Sequence, residues 1–353
     1  MSKIRVAVLG ATGMIGQRFI QMLEGHPYFE IEGMYASERS DGKCLRDVLK
    51  VRDYVYKDET LDTKMEAMDL KKIAKNARVA FSGLPSDLAG KTESDLAADG
   101  VAVFSNAGAH RMDKNVAILV PEVNPSHLDS VKDQDTYKNG GFLVTNANCC
   151  ATGIVPPLAA INNAYKLNFA SISTYQAISG AGYPGVPSLD IVSNVVPYIS
   201  GEEEKLEAEL GKMLGSYVNK KFEYAKFRAL ANCARVPVID GHLESLVLRT
   251  DRTPTAEEFT ETLRSFKGEP QTLKLPSAPV RPIIVRTENN RPQPALDTYA
   301  GTPERAKGMA VTVGRIRKSD EYFKIFVLSH NTIRGGAGGS ILNAEYAKAK
   351  KLL

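Results

Sequence analysis

The chain has 353 residues, 43% hydrophobic and 24% charged, which suits two ordinary globular domains and excludes a disordered chain, a collagen and a disulfide scaffold. The formal charge is only +4 and is spread along the chain, so it leaves no nucleic-acid footprint but suits small anionic ligands. No apolar run approaches the roughly 18 residues of a membrane span, and the start, MSKIRVAVLG, reads as a strand rather than a signal peptide.

The first element, Ile4 to Leu9, is β-rich and mostly apolar. It runs into Gly10-x-x-Gly13-x-x-Gly16, then helical spacing from Gln17 to Glu24 and a second strand from Phe29 to Tyr35. Strand, Gly-rich turn, helix and strand make a βαβ unit. Its glycines allow backbone N–H groups to approach a pyrophosphate, and the helix N-terminus adds positive potential there. The second strand ends at Ser37-Glu38-Arg39-Ser40. An NAD site places an acid there and an NADP site Arg or Ser; Ser37, Arg39 and Ser40 favour NADP, while Glu38 argues the other way. Apolar runs at 77–82, 101–104 and 142–145 complete a parallel sheet with helices on both faces. The Lys/Asp-rich stretch 131–139 reads as a solvated loop.

The run TNANCCATG (145–153) follows a strand and opens a helix. A thiol at a helix N-terminus has a lowered pKa, as a nucleophile requires. The doublet Cys149-Cys150 and the flanking Asn148 favour that role over a structural one. The other cysteines are Cys44 and Cys233. Four cysteines without metal-ligand spacing predict no metal site, no disulfides and a cytoplasmic protein.

Past residue 150 the strands lengthen and alternate: 170–176, 235–239, 244–249, 309–314 and 324–328 suit one mixed sheet. Helical spacing spans 254–267, and 338–353 reads as a closing helix. His242 is either an acid/base partner for a nucleophile or a satisfied structural histidine. It lies seven residues after Arg235, across what reads as one short strand. The two share a pocket only if Asp240-Gly241 bends the chain. The Gly-rich loop GAGYPG (180–185) either clears space for a planar ring or makes a sharp turn.

Together these segments resemble the aspartate-β-semialdehyde dehydrogenases of the archaeal/fungal branch. The resemblance runs through GATGMIGQRF (10–19), ASERS (36–40), FSGLPSD (81–87), FSNAGAHRMD (104–113), VPEVN (120–124) and NANC (146–149). It continues through QAISGAGYPG (176–185), EEEK (202–205), RVPVIDGH (235–242), RPQP (291–294) and HNTIR (330–334). It implies an α/β fold with an N-terminal Rossmann-type doubly wound domain (1–149) that the segment 331–353 completes, and an α+β catalytic and dimerisation domain with a mixed sheet (150–330). The implied reaction is the NADP-dependent, phosphate-coupled interconversion of L-aspartyl-4-phosphate and aspartate semialdehyde. By resemblance Cys149 is the nucleophile, His242 the acid/base and Gln176 the residue orienting the intermediate. Arg235 holds the substrate carboxylate, Arg111, Asn148 and Lys205 the phosphate, and Glu202 the amino group. Gly10, Thr12, Gly13, Met14, Ile15, Ser37, Arg39, Ser40, Ser82, Gly180 and Asn343 match cofactor positions. A homodimer or homotetramer is implied, its partners otherwise a small-molecule substrate and phosphate, with no nucleic acid and no membrane.

Four positions depart from the family pattern: Cys150 stands for a Ser or Thr, Ala234 for an Asn, Leu243 for a Thr, and His110 precedes Arg111. A sister group on this scaffold, the malonyl-CoA/succinyl-CoA reductases, shares the thioester chemistry and has a His before that Arg. The amino-acid and phosphate contacts Asn148, Glu202 and Lys205 favour aspartate semialdehyde. A catalytically dead NADP sensor is a third reading, opposed by the joint presence of Cys149, Gln176, Arg235 and His242.

Overall fold

The computed structural model describes residues 2–353. Seven strands form the first sheet: β1 (Ile4–Leu9), β2 (Phe29–Ala36), β3 (Met65–Ala67), β4 (Val79–Ser82), β5 (Ala102–Ser105), β6 (Ala117–Ile118) and β7 (Phe142–Thr145). Their order is β3-β2-β1-β4-β5-β7-β6 and every pairing is parallel. The strands β4, β5 and β7 are buried throughout, as a parallel sheet covered on both faces requires. The order reverses between β1 and β4, so the crevice for a ligand opens at the carboxyl ends of those two strands.

A second sheet follows: β8 (Leu167–Gln176), then, beyond a small hairpin of β9 (Ser216–Val218) and β10 (Lys221–Glu223), β11 (Arg228–Arg235), β12 (His242–Thr250), β13 (Ile283–Val285), β14 (Val311–Ser319) and β15 (Tyr322–Ser329). Its order is β11-β8-β12-β15-β14-β13, with parallel pairs at its two edges and antiparallel pairs between. Residues of β12 alternate buried and half-buried along its whole length. The inner face packs on the helix Cys149–Tyr165, while Tyr175 and Leu230 stand exposed on the outer face.

Three expectations are corrected. The helix after the glycine turn starts at Met14, because Gly13 serves as its N-cap. The stretch 131–139 is not a loop: it lies in two 3₁₀ segments, Pro125–Asp133 and Asp135–Asn139, and the Gln134 side chain ties it to Leu143 and Asn115. The strand expected at 235–239 ends at Arg235. Pro237 lacks the N–H a ladder needs, and pairing with β8 selects the poorer β-formers of 228–235 instead.

The closing helix, Gly338–Ala349, returns to the first domain and adds Ile341, Leu342, Ala344, Tyr346 and Ala347 to its core. A fully buried carboxylate fastens it. Glu345 accepts from the Ser277 backbone N–H and hydroxyl and pairs with His26 Nε2 at 2.9 Å. His26 Nδ1 accepts from the N–H groups of Tyr28 and Phe29, which directs the ring proton to Glu345. Glu345→Ala should strand these buried donors and cost about 3 kcal/mol in urea unfolding. A loss below about 1 kcal/mol would show that apolar packing alone holds the helix.

Candidate active site

Three neighbouring strands end together. In β11-β8-β12, Arg235 pairs with Gln176, and Leu243 pairs with Tyr175, so Gln176, Arg235 and His242 share one sheet end. Arg235 and His242 therefore do not lie on one strand, as their spacing suggested. They flank Gln176 from two strands, and the chain between them turns at Gly241, where φ is +97°. A Cβ there would sit 2.4 Å from Thr298 Oγ1, so the bend at Gly241 is both conformationally and sterically a glycine position. The loop after β8 folds back over the pair. A Cβ on Gly180 would lie 2.9 Å from Arg235 Nη1 and 3.1 Å from His242 Cε1, so this glycine clears space for the pair itself.

Cys149 faces this sheet end from the start of its own helix. Asn148 caps that helix: its Oδ1 accepts from the N–H groups of Cys150 (2.9 Å) and Ala151 (3.3 Å). Cys149 Sγ lies 3.2 Å from His242 Nε2, and His242 Nδ1 accepts from the Ala177 N–H at 3.0 Å. That backbone bond assigns the neutral ring's proton to Nε2, facing the sulfur. The Cys149 thiol is held well below its ordinary range, chiefly by a hydrogen bond from Cys150; burial opposes this, and His242 and Arg235 favour the anion. Cys150 moves the other way because it is fully buried and gains a charged neighbour. The thiolate of the doublet is therefore Cys149, which alone is partly exposed and touches the histidine.

A carboxylate network surrounds the pair. Glu202 Oε1 accepts from Asn148 Nδ2 (2.8 Å) and Gln176 Nε2 (3.0 Å), and its Oε2 makes no hydrogen bond among the described residues. Glu209 accepts from the Asn148 N–H and from Arg111 Nη1. Arg111 also donates to the carbonyls of Asn146 and Asn106, leaving one N–H on each terminal nitrogen. Lys212 is buried and donates to the carbonyls of Arg111, Asp113 and Val116; burial pulls its pKa down to about 8. Lys205 is exposed, one helical turn beyond Glu202.

The crevice at the ends of β1 and β4 has the shape of a pyrophosphate cradle. A Cβ on Gly16 would sit 2.1 Å from the Gly10 carbonyl oxygen, and one on Gly10 would sit 2.8 Å from that of Gly83. Gly13 caps the helix without a side chain, so the first-turn N–H groups remain for an anion. Thr12, Met14 and Ile15 are half-buried along the cradle, and Ser82 ends β4 beside Leu9. Ser37 and Arg39 are exposed beyond β2, Ser40 half-buried beside them, and Arg39 has no ion-pair partner among the described residues. Asn343 donates to the Leu119 carbonyl, and its buried Oδ1 lacks a partner, as does that of Asn146. These residues fit a dinucleotide: a bare backbone cradle at one end and orphaned buried acceptors for an amide at the other.

The residues 5–131 match the family model described as semialdehyde dehydrogenase, NAD binding domain, and 158–334 match semialdehyde dehydrogenase, dimerisation domain. An aspartate-semialdehyde dehydrogenase of Archaeoglobus fulgidus is 45% identical over 99% of both chains. One of Aspergillus fumigatus is 42% identical over 99% of this chain and 98% of its own. The chain belongs to the aspartate-semialdehyde dehydrogenase family. The crystal structure of aspartate semialdehyde dehydrogenase with NADP from Candida albicans matches all of both chains with a TM-score of 0.89 at 39% identity. Aspartate semialdehyde dehydrogenase II of Vibrio cholerae, at 23% identity and a TM-score of 0.77, shares the fold.

In this aspartate-semialdehyde dehydrogenase family member, sequence reasoning missed Glu209, Lys212 and Glu244. The first two sit in the helix Glu202–Met213, where the burial of Leu206, Leu210 and Met213 beside them marks the inner side. Arg18 lies in the GATGMIGQRF segment (10–19). It is buried, binds Asp53 (2.8 Å) and Thr332 (3.1 Å), and reaches Asp240 at 3.5 Å, two residues before His242. Iodoacetamide should label Cys149 ahead of Cys150, read from fragment ions that cleave between the two, with the partly exposed Cys44 on a separate peptide. Its half-maximal rate should fall well below the pH of about 8.5 of a free thiol, and labelling should be lost only as pH drops through that lowered value. A midpoint at or above about 8.5 would contradict the thiolate assignment.

Proposed function

We propose that this protein is an NADP-dependent aspartate-semialdehyde dehydrogenase that reversibly reduces L-aspartyl-4-phosphate to L-aspartate 4-semialdehyde with release of phosphate. The observation that carries this reading is the Cys149–His242 contact of 3.2 Å at the sheet end shared with Gln176 and Arg235. The Cys149 thiolate attacks the acyl carbon; the C–S bond forms, the bond to phosphate breaks, and a thioester remains. The Gly10–Gly16 cradle would hold NADPH, whose chemistry there would be hydride donation to the thioester carbon. His242 Nε2–H donates a hydrogen bond to the oxyanion of the resulting thiohemiacetal, which collapses as the C–S bond breaks, releasing the aldehyde and returning the Cys149 thiolate. Gln176 orients the acyl group from the sheet end.

The substrate's two ends call for different partners. Arg235 donates through Nη1 to the Ala177 carbonyl at 2.9 Å, which aims the rest of its fork at the substrate carboxylate. Glu202 Oε2 is the acceptor for the ammonium, while Arg111, Asn148 and Lys205 serve phosphate. Ser37, Arg39 and Ser40 meet the 2′-phosphate of NADP. The half-exposed outer face of β8, β11 and β12, with the dimerisation-domain match, supports a homodimer or a dimer of dimers, which light scattering at micromolar concentration measures. Four free cysteines suit a cytoplasmic enzyme.

The deciding assay compares phosphate-dependent NADP⁺ reduction by aspartate semialdehyde with NADPH oxidation by malonyl-CoA and succinyl-CoA. Aspartate semialdehyde should win, and Cys149→Ser should abolish turnover. Glu202→Gln should lower kcat/KM about ten- to hundredfold, the loss of one charge-assisted bond. Unchanged activity in Glu202→Gln, with an acyl-CoA as the better substrate, would overturn the reading. Arg39→Ala should selectively raise the KM for NADP; a wild-type preference for NAD would assign the ribose hydroxyls to Glu38 instead.

A further inference from the structure

The helix Glu202–Met213 carries four charged residues along one stripe: Glu202, Lys205, Glu209 and Lys212, spaced three, four and three apart. Glu202 and Lys205 face the substrate in the reading above, and Glu209 holds the Arg111 guanidinium. Lys212 has no such task, yet it is only 1% exposed. Its Nζ donates to the carbonyls of Arg111 (2.7 Å), Val116 (2.8 Å) and Asp113 (3.2 Å), which uses all three of its protons. The Phe222 ring covers the remaining side, its centroid 4.3 Å from Nζ. None of these four partners is a carboxylate. A buried ammonium without a counter-ion is costly, and a core position that served packing alone would be filled more stably by an apolar side chain.

The three carbonyls belong to the segment between β5 and β6 that carries Arg111. Residues 106–116 of it contain no helix or strand. Its own turns are held by long bonds: Arg111 N–H to the Gly108 carbonyl at 3.3 Å, Asp113 N–H to that of His110 at 3.1 Å, and Val116 N–H to that of Asp113 at 3.4 Å. The Lys212 bonds to Arg111 and Val116 are shorter than any of these and clasp the segment at both ends of its last turn. Arg111 is thus held twice by one helix. Glu209 accepts from its Nη1 at 2.9 Å, and one turn later Lys212 grips its carbonyl. Backbone and side chain of the same arginine are fixed to a rigid element that begins at Glu202.

We propose that Lys212 is a positioning residue for phosphate: its ammonium folds the 111–116 segment so that the unused N–H groups of Arg111 face the phosphate that joins or leaves the acyl carbon. The proposal rests on the reading of Arg111 as a phosphate ligand. It adds that the helix Glu202–Met213 sets the separation between the ammonium and phosphate ends of the substrate, since one rigid element holds both.

The test uses the full-length protein in the direction of aspartate semialdehyde oxidation. Hydride passes from the Cys149 adduct to NADP⁺ and leaves a thioester; phosphate then attacks the carbonyl carbon, the C–S bond breaks, and the acyl phosphate leaves. Without phosphate the reaction stops after one hydride per site, so the two steps are measured separately. Lys212→Met should raise the KM for phosphate about tenfold or more, with the single-turnover rate of hydride transfer within about twofold of wild type. Lys212→Gln keeps two N–H donors and should raise that KM less. An unmoved KM for phosphate in Lys212→Met, or a hydride transfer slowed as much as phosphate use, would overturn the proposal, because a merely structural lysine disturbs both steps or neither. If Lys212→Met does not fold, the same two outcomes in Lys212→Gln would overturn it equally. Steady NADP⁺ reduction by the wild-type protein that needs no phosphate would sink the reading of the site itself, a failure visible before any variant is made.

Discussion

Asn148 is the joint on which the site depends. It ends the chain's exit from the first sheet and begins the helix that supports the second. Its carbonyl-type oxygen closes the helix N-terminus, its amide nitrogen reaches Glu202, and its backbone N–H is held by Glu209. The partial positive charge of a helix start acts on one point only if the helix is held in place, and these contacts hold it on three sides. Cys149 is the next residue, so its position relative to His242 follows from the capping of Asn148 more than from any contact of its own.

The opposing wall is set by register. The strands β11, β8 and β12 come from separate stretches of chain, yet their ends align because Arg235 pairs with Gln176 and Leu243 with Tyr175. A slip of one residue in either pairing would turn His242 or Arg235 to the other face of the sheet. The wall is thus set by strand register and the position of Cys149 by the cap of its helix. The glycines at 180 and 241 permit the close contacts between them. Lys205 and Arg39, by contrast, stand exposed at the surface.

Local chemistry was legible in the sequence, and non-local pairing was not. The glycine cradle, the helix start at Cys149 and the strands around them are each determined within about ten residues of chain. The convergence of Arg235 and His242 depends on β8 lying between them, which no spacing between the two can reveal. The strand assigned to 235–239 followed its Val and Ile content, but Ala229 to Cys233 supplied the strand because a partner was available there. Glu209, Lys212 and Glu244 escaped notice for a related reason: charged residues read as solvated until their neighbours are known. Glu244 follows His242 by two on a strand, so its inward direction could have been read from period two once His242 was taken as inward.

The return of the closing helix also orders how the molecule can be made. The core of the first domain contains Phe19, Phe29 and Phe81, but it also contains Ile341, Leu342 and Tyr346. A ribosome therefore releases the first domain with part of its apolar interior uncovered, and the whole second domain is synthesised before the covering residues emerge. Co-translational folding in chain order, the common route for multidomain proteins, can complete the second domain first. The dinucleotide crevice then takes its final shape only when the second domain already stands, so a nascent chain lacking the last helix carries an exposed apolar face for chaperones to shield.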